Sequence, residues 1–344
     1  MNFSLKQRTK NSVFIIAEIG NNHNGSKKTA FELIDIAAES GVDAVKFQTF
    51  TGLDIVTPKV KADEYKGWNV KGYAYWFEFL DSIALPLEDH LEVFNYAINK
   101  GLIPFSTPTS SEIVGFLEKI NTPLYKIASM DLTNIKLLKS VADTGKPVII
   151  STGMGTDEEI RKAISIFSKN ELAILHCISD YPTKPENANL KAVSYIKERY
   201  KVLTGLSDHS VTNVFSLGAV ALGGRIIEKH ITYSRKEKRK AEHHFSLEPK
   251  ELKLLVESIR TLEKGLGENK LIRTPDEDLN KFKYRRSLHL NKALNKGDRI
   301  SIEDISILRP NIGDAPSEFD NYIGKELVRD IGPWTGLNKD MIKG

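Results

Sequence analysis

Ser207, Asp208 and His209 stand in a row at the end of the apolar run "KVLTGLS", and Glu228 and His230 stand two apart at the end of "RIIEKH". Residues two apart on a strand share a face. Ser207 therefore points the same way as His209, and Glu228 the same way as His230. If the two runs are neighbouring strands, about 4.8 Å apart, the imidazoles of His209 and His230 converge on one point. Two imidazoles without a thiolate beside them suit a divalent cation with open positions for substrate, rather than a closed structural zinc site. They do not discriminate among Mn²⁺, Mg²⁺ and Co²⁺.

The same count in "DAVKFQ" places Ala44, Lys46 and Gln48 on one side and Val45 and Phe47 on the other. In "LYKIAS" it turns Lys126 inward, and "VFIIAE" ends on Glu18. A buried charge is costly unless paired. Glu18 cannot neutralise both lysines, so a polyanion is the expected partner. Ser106, Thr107, Ser129, Ser151, Thr152 and Ser207 supply hydroxyls at strand ends, which suits a phosphate with its many acceptor lone pairs. His23 in "GNNHNG" and His176 in "LHCISDYP" also stand at strand ends, as substrate-orienting groups or as hydrogen bonders of loops. Cys177 lies inside an apolar run and reads as a small hydrophobe, not a nucleophile.

The elements that must position these groups are repeated. Eight short β-branched runs end in polar residues: 13–18, 43–48, 102–107, 124–129, 147–152, 172–177, 201–207 and 225–230. Helical patterns lie between them, such as "KKTAFELIDIAAESG", with Phe31, Ile34 and Ala38 on one stripe and Gly41 as a stop, and "NIKLLKSVADTGK", with Gly145 in the same role. Eight such units read as a (β/α)8 TIM barrel over residues 1–267. A doubly wound open sheet would concentrate its polar endings at one switch point, whereas here nearly every run ends in chemistry. One excursion, from Thr49 to Pro86, is rich in aromatics and reads either as a surface loop pinned by its own rings or as a substrate lid. A polar linker, 268–284, leads to a module over 285–344 that reads as strand, turn at Asn295 to Asp298, capped turn at Ser301, and strand.

The 344 residues carry 49 Lys and Arg against 45 Asp and Glu, a net +4 too small to indicate nucleic-acid or membrane binding. One cysteine excludes an internal disulfide, the start "MNFSLKQRTKNS" has no apolar signal region, and a reducing cytoplasm is the expected location.

The motifs "AEIGNNHNG", "VKFQT", "YKIAS", "STGM", "GLSDH", "GAVALGGRIIEKH" and "SILRP" resemble, in order and over essentially the whole chain, the bacterial sialic-acid synthases, including pseudaminic and legionaminic acid synthases. The resemblance implies a C-terminal antifreeze-like (SAF) domain. It also implies condensation of phosphoenolpyruvate with an aldehyde of the N-acetylmannosamine type, giving a nine-carbon 3-deoxy-ulosonic acid and phosphate by C–O cleavage. By motif, Lys46, Thr107, Lys126, Ser129, Ser151 and Ser207 would hold phosphoenolpyruvate. His209 and His230 would hold a cation, usually Mn²⁺. Glu18, Gln48 and Tyr181 would contact the sugar. Glu242 stands where relatives often have an Asp that touches it, and Arg309 would reach it from the second subunit of a domain-swapped homodimer. Asp131 is the implied proton carrier, with His23 as a possible partner. The run Arg235, Lys236, Lys238, Arg239, Lys240 is either a solvated rim loop or a dock for a 6-phosphorylated acceptor. A diacetamido-trideoxy hexose acceptor, a synthase acting on an arabinose- or erythrose-phosphate, and a non-catalytic sugar-binding barrel are the alternatives.

Overall fold

A computed structural model describes residues 3–65, 68–237 and 241–344. It divides into two compact units, Met1–Gly267 and Glu268–Gly344. In the first, eight parallel strands form a closed barrel: β1 Phe14–Gly20, β2 Ala44–Thr49, β3 Ile103–Pro108, β4 Tyr125–Ile127, β5 Val148–Ser151, β6 Leu172–Cys177, β7 Leu203–Asp208 and β8 Ile226–His230. The eight runs of the sequence are these strands. Closure pairs β1 with β8, and Glu18 lies opposite His230 in that register.

Alternation along each strand builds two different interiors. Outward residues such as Val45, Phe47, Ile127, Leu206 and Ile227 pack against the helices in one large apolar core. Inward residues of the lower layer, among them Ile16, Ala44, Phe105, Ile149 and Ile226, fill the lumen. Leu5, on the short helix Leu5–Arg8, belongs to that lower cluster, and Glu171 accepts from Ser4 Oγ at 2.8 Å and from Leu5 N at 2.7 Å. The lumen is thus sealed with hydrocarbon below, and the charged inward residues stand at the carboxyl ends of the strands, where barrels of this kind carry their sites.

The helix Lys27–Ser40 starts where Ser26 caps the N–H of Thr29 and ends at Gly41, whose φ of 78° is left-handed and costs glycine little. Its buried residues include Leu33 and Ile34, with Phe31 packed alongside. The second helical pattern stops earlier than its Gly145 signal suggests, at Ala142. In the aromatic excursion, helices Gly52–Ile55 and Trp76–Ile83 flank a small core of Phe50, Trp76, Phe79, Leu80 and Ile83, joined by Trp68 and Tyr73. Tyr65 stacks on Trp76 with centroids 4.2 Å apart. Its rings therefore bind one another, and Ile55 is its contribution to the barrel cavity.

The second unit pairs β9, Ser287–Leu290, antiparallel with β10, Ile305–Leu308. Between them Asp298 N donates to Asn295 O, and Ser301 caps through Asp304, as its sequence pattern indicated. Residues expected to be plain linker include a helix, Pro275–Tyr284. It has no apolar stripe to betray it. Its signal is the capping box of Thr274 and Glu277, three acidic residues in the first turn, and Lys281 and Lys283 in the last, all favourable to the helix dipole. No helix among the described residues is long and apolar enough to cross a membrane.

Candidate active site

The mouth of the barrel holds a cavity of about 370 Å³. At its floor stand two ammonium groups. Lys46 Nζ lies 2.9 Å from Glu18 Oε2 and donates to Thr107 Oγ1 at 3.1 Å. Lys126 Nζ donates to Ser151 Oγ at 2.6 Å. Between them lies Glu228, 3.7 Å from each ammonium and accepting from Ser207 Oγ at 2.8 Å. All four ionic groups are buried.

Glu228 corrects the charge argument drawn from the sequence. Two carboxylates, not one, face the two lysines, so the floor is balanced without a bound anion. Its inward position was legible from its spacing to His230; its reach to both lysines was not. Burial pushes Glu228 up, but Lys126 and Lys46 outweigh it and hold the carboxyl at about 2. Burial pushes Lys46 down, yet Glu18 and Glu228 keep it above its ordinary value. Lys126, with a single carboxylate within 4 Å, is left below its ordinary value by burial. It is the ammonium that an incoming phosphate would stabilise most.

Alternation also decides among the hydroxyls. Thr107, Ser129, Ser151 and Ser207 line the cavity. Ser106 turns the other way, to Thr49 Oγ1 at 2.7 Å and Phe47 O at 3.0 Å, and Thr152 donates to Leu175 O. Adjacent residues on one strand cannot both face inward.

Next to the floor, His209 and His230 stand with ring centroids 5.3 Å apart. His209 Nδ1 lies 2.9 Å from Ile178 O, a carbonyl that can only accept, which makes Nδ1 the nitrogen that carries the hydrogen and leaves the lone pair on Nε2, 3.5 Å from Ser207 Oγ. His230 Nδ1 lies 3.1 Å from Glu242 Oε2, yet neither of these buried atoms makes an aligned hydrogen bond. Two imidazoles sharing an ion through bonds of about 2.1 Å have centroids roughly 5 Å apart. The donor set thus fits a divalent cation held by His209 and His230, with the orphaned Glu242 oxygen beside it. Among the described residues no cluster of three or more such side chains forms a closed cage.

Gln48, Tyr181 and Glu242, which the family resemblance expects at the sugar, are also on the wall. Gln48 Nε2 donates to Glu18 Oε1 at 2.9 Å and its oxygen accepts from Asn21 Nδ2 at 3.0 Å. Tyr181 packs on His209, centroids 4.3 Å apart. Gly20 makes room for this group: its φ is 51°, and a Cβ there would meet Glu18 Oε1 at 3.1 Å and Glu242 Oε2 at 3.2 Å.

Three expectations, for Asp131, His23 and Cys177, need correction, and His176 takes the loop-anchoring role of its two. Asp131 is not on the cavity wall: the turn Ser129–Asp131 presents Ser129 and Met130, and carries Asp131 back to accept from Asn134 Nδ2 at 2.9 Å. His23 is not on the wall either. It is fully buried, stacks on Phe47 at 6.2 Å, and accepts from Gly25 N at 3.1 Å. His176 reaches Ala188 O at 2.8 Å and anchors a loop. Cys177, in contrast, does line the cavity, 3.5 Å from Ser129 Oγ and 3.9 Å from His209 Nδ1, so it is no part of an apolar interior. In the basic run, Arg235 pairs with Glu251, Lys236 is exposed, and Lys238, Arg239 and Lys240 lie outside the described residues. Arg309, in the second unit, is exposed and lies over the Tyr284 ring at 5.7 Å.

His23 gives a stability prediction. Burial, reinforced by the nearby His90, lowers its pKa from 6.5 to about 3, so it folds neutral. The unfolded chain takes the proton first as pH falls below 6.5, so this contribution is complete above that value and is lost toward pH 3 at about 1.4 kcal/mol per unit. Urea unfolding at about pH 6.5 and 4.5 is expected to show a loss smaller by about 2–3 kcal/mol in His23→Gln than in the wild type. An equal loss in both would contradict the assignment.

Residues 33–271 match the model of the NeuB family and residues 285–343 that of the SAF domain. The chain belongs to the NeuB family. It is a synthase of the sialic-acid type, hence a transferase. This NeuB-family chain is 37% identical over 332 residues to pseudaminic acid synthase of Campylobacter jejuni, covering 94% of each chain. It is 37% identical over 331 residues to N,N'-diacetyllegionaminic acid synthase of Legionella pneumophila, covering 94% of this chain and 93% of that one. Among solved structures, N-acetylneuraminic acid synthetase from Leptospira borgpetersenii, in complex with citrate, superposes with TM-score 0.70 at 34% identity, over 78% of this chain and 90% of that one.

Proposed function

We propose that this cavity condenses phosphoenolpyruvate with the open-chain aldehyde of an unphosphorylated, N-acylated amino hexose of the N-acetylmannosamine type, releasing inorganic phosphate and a nine-carbon 3-deoxy-ulosonic acid. The observation that carries the reading is the pairing of an anion floor with a two-imidazole wall in one small cavity. Lys46 and Lys126, with the hydroxyls of Thr107, Ser129, Ser151 and Ser207, suit the phosphate and carboxylate of phosphoenolpyruvate. His209 and His230, with Glu242 beside them, would hold the divalent cation, Mn²⁺ by family resemblance. When bound it supplies Lewis acidity at the aldehyde oxygen.

Carbon 3 of phosphoenolpyruvate attacks the aldehyde carbon, and positive charge develops at carbon 2. The floor carboxylates Glu18 and Glu228 stabilise that centre electrostatically. Water adds to carbon 2, the tetrahedral species expels phosphate as the carbon 2–oxygen bond breaks with the carbon 2 hydroxyl proton leaving on the phosphate, and the other water proton goes to the new alkoxide. Glu18 is the carboxyl on the wall suited to relay this proton, because burial raises its pKa more than Lys46 lowers it. Asp131 is the less suitable carrier, since its side chain is turned from the cavity.

The rim speaks for the acceptor. Ile55, Met130 and Met154 line the outer cavity, and Met130 and Met154 are exposed to 51% and 74%. Lys46 and Lys126 are the only lysine or arginine side chains on the wall among the described residues, and both lie at the floor. Such a rim favours methyl and acyl substituents, as in a diacetamido-trideoxy hexose, over a 6-phosphate. By resemblance to the family, Arg309 of a second subunit would complete the site in a domain-swapped homodimer.

Phosphate release from phosphoenolpyruvate tests this across N-acetylmannosamine, its 6-phosphate and 2,4-diacetamido-2,4,6-trideoxy hexoses. At least one unphosphorylated acceptor is expected to exceed the 6-phosphate at least tenfold in kcat/KM. A preference for the 6-phosphate would transfer the acceptor's recognition to the basic run, and no release with any of them would overturn the reading.

A further inference from the structure

Outward positions on barrel strands normally hold aliphatic residues that meet the helices, as Leu206 and Ile227 do here. One step further along the same strands the pattern breaks. Asp208 and Lys229 face each other in the β7–β8 register, both buried on the outer side of the wall whose inner side carries Ser207, Glu228 and the two histidines. Each immediately precedes one of those histidines in sequence.

Their bonding is directed at the chain around His209. Lys229 Nζ lies 2.9 Å from Asp208 Oδ2 and is within hydrogen-bond reach of Ser210 O at 2.6 Å, Thr212 O at 3.0 Å and Ser210 Oγ at 3.2 Å, four acceptors for its three N–H groups. Asp208 Oδ1 accepts from Ser210 N at 2.9 Å, and Oδ2 also accepts from Ser216 Oγ at 2.7 Å. The residues on both sides of His209 are thereby tied to the residue before His230. A buried ion pair in place of two aliphatic side chains is rarely the more stable choice, so stability alone does not account for it.

We propose that Asp208 and Lys229 are positioning residues for the two imidazoles: they fix His209 relative to His230 and so set the site's affinity for a divalent cation. The inference rests on the cation reading of the preceding section. Neither residue touches the ion or the substrate; both act through the segment 208–212.

The experiment is direct Mn²⁺ binding to the full chain, read from the electron paramagnetic resonance signal of the free ion, beside phosphoenolpyruvate binding measured by calorimetry without metal. Lys229→Met and Asp208→Asn are expected to raise the Mn²⁺ Kd at least tenfold, and Ser216→Ala two- to threefold. Phosphoenolpyruvate affinity should stay within threefold, because its lysines stand on β2 and β4. A purely structural role would lower thermal stability and leave the ratio of the two affinities unchanged. If wild type binds Mn²⁺ and His209→Ala does not, while the clamp variants bind like wild type, the clamp inference is overturned and the cation reading stands. If wild type binds none, the cation reading itself fails. Should Lys229→Met not fold, the near-isosteric Asp208→Asn and the mild Ser216→Ala decide by the same ratio.

Discussion

Replacing Lys126 with methionine is expected to lower kcat/KM for phosphoenolpyruvate about 10³-fold, mostly through KM, with the KM for the acceptor changed less than threefold. Lys126 is buried, donates to Ser151 Oγ at 2.6 Å, and faces the bridging Glu228 at 3.7 Å. Removing one partner of a desolvated charge pair costs about 2–5 kcal/mol, part of it the penalty on the charge left behind. Here the charge left behind is shared: Glu228 keeps Lys46 and Ser207, so the folded chain tolerates the change better than the bound trianion does. Lys46→Met is expected to be worse for folding, because it strips Glu18 of its one ammonium at 2.9 Å. Steady-state kinetics with acceptor saturating checks the first result. An unchanged KM for phosphoenolpyruvate would mean that the floor binds something else.

The second large effect is expected at the imidazoles. His209→Ala should lower kcat by 10³-fold or more while leaving phosphoenolpyruvate affinity within a few-fold, since the floor and the imidazole wall are separate side-chain sets in one cavity. In the proposed mechanism, Lewis-acid activation and the positioning of the aldehyde would together lower the barrier by several kcal/mol. His230→Ala should behave alike, and the remaining activity of both variants should no longer respond to chelator. Activity of either variant that still rises with added Mn²⁺ as in wild type would remove the imidazoles from the ion.

The barrel was legible because β-branched runs and helical stripes alternate eight times, and because a period of two says which residues face the lumen. That period alone placed Lys46, Gln48, Lys126, Ser207, His209 and His230 on one surface. It stopped short wherever a second distance matters. Whether Glu228 reaches one lysine or both depends on stagger between β8, β2 and β4, which no single run encodes. Asp131 sits two residues beyond Ser129, yet a tight turn sends its side chain elsewhere, since the period of two ends with the strand. Cys177 looked like core because its run is apolar, although it is the last residue of that run and opens onto the cavity. The helix Pro275–Tyr284 escaped for the opposite reason: its stability comes from caps and charges rather than an apolar face.

In the proposed mechanism water enters at carbon 2 and phosphate leaves with the bridging oxygen. Phosphoenolpyruvate labelled with ¹⁸O at that bridging position, turned over with an unphosphorylated amino hexose and followed by mass spectrometry, tests it directly. The predicted result is label in the released phosphate and none in the nine-carbon product. Label retained in the product, with unlabelled phosphate, would show cleavage at phosphorus and contradict the mechanism.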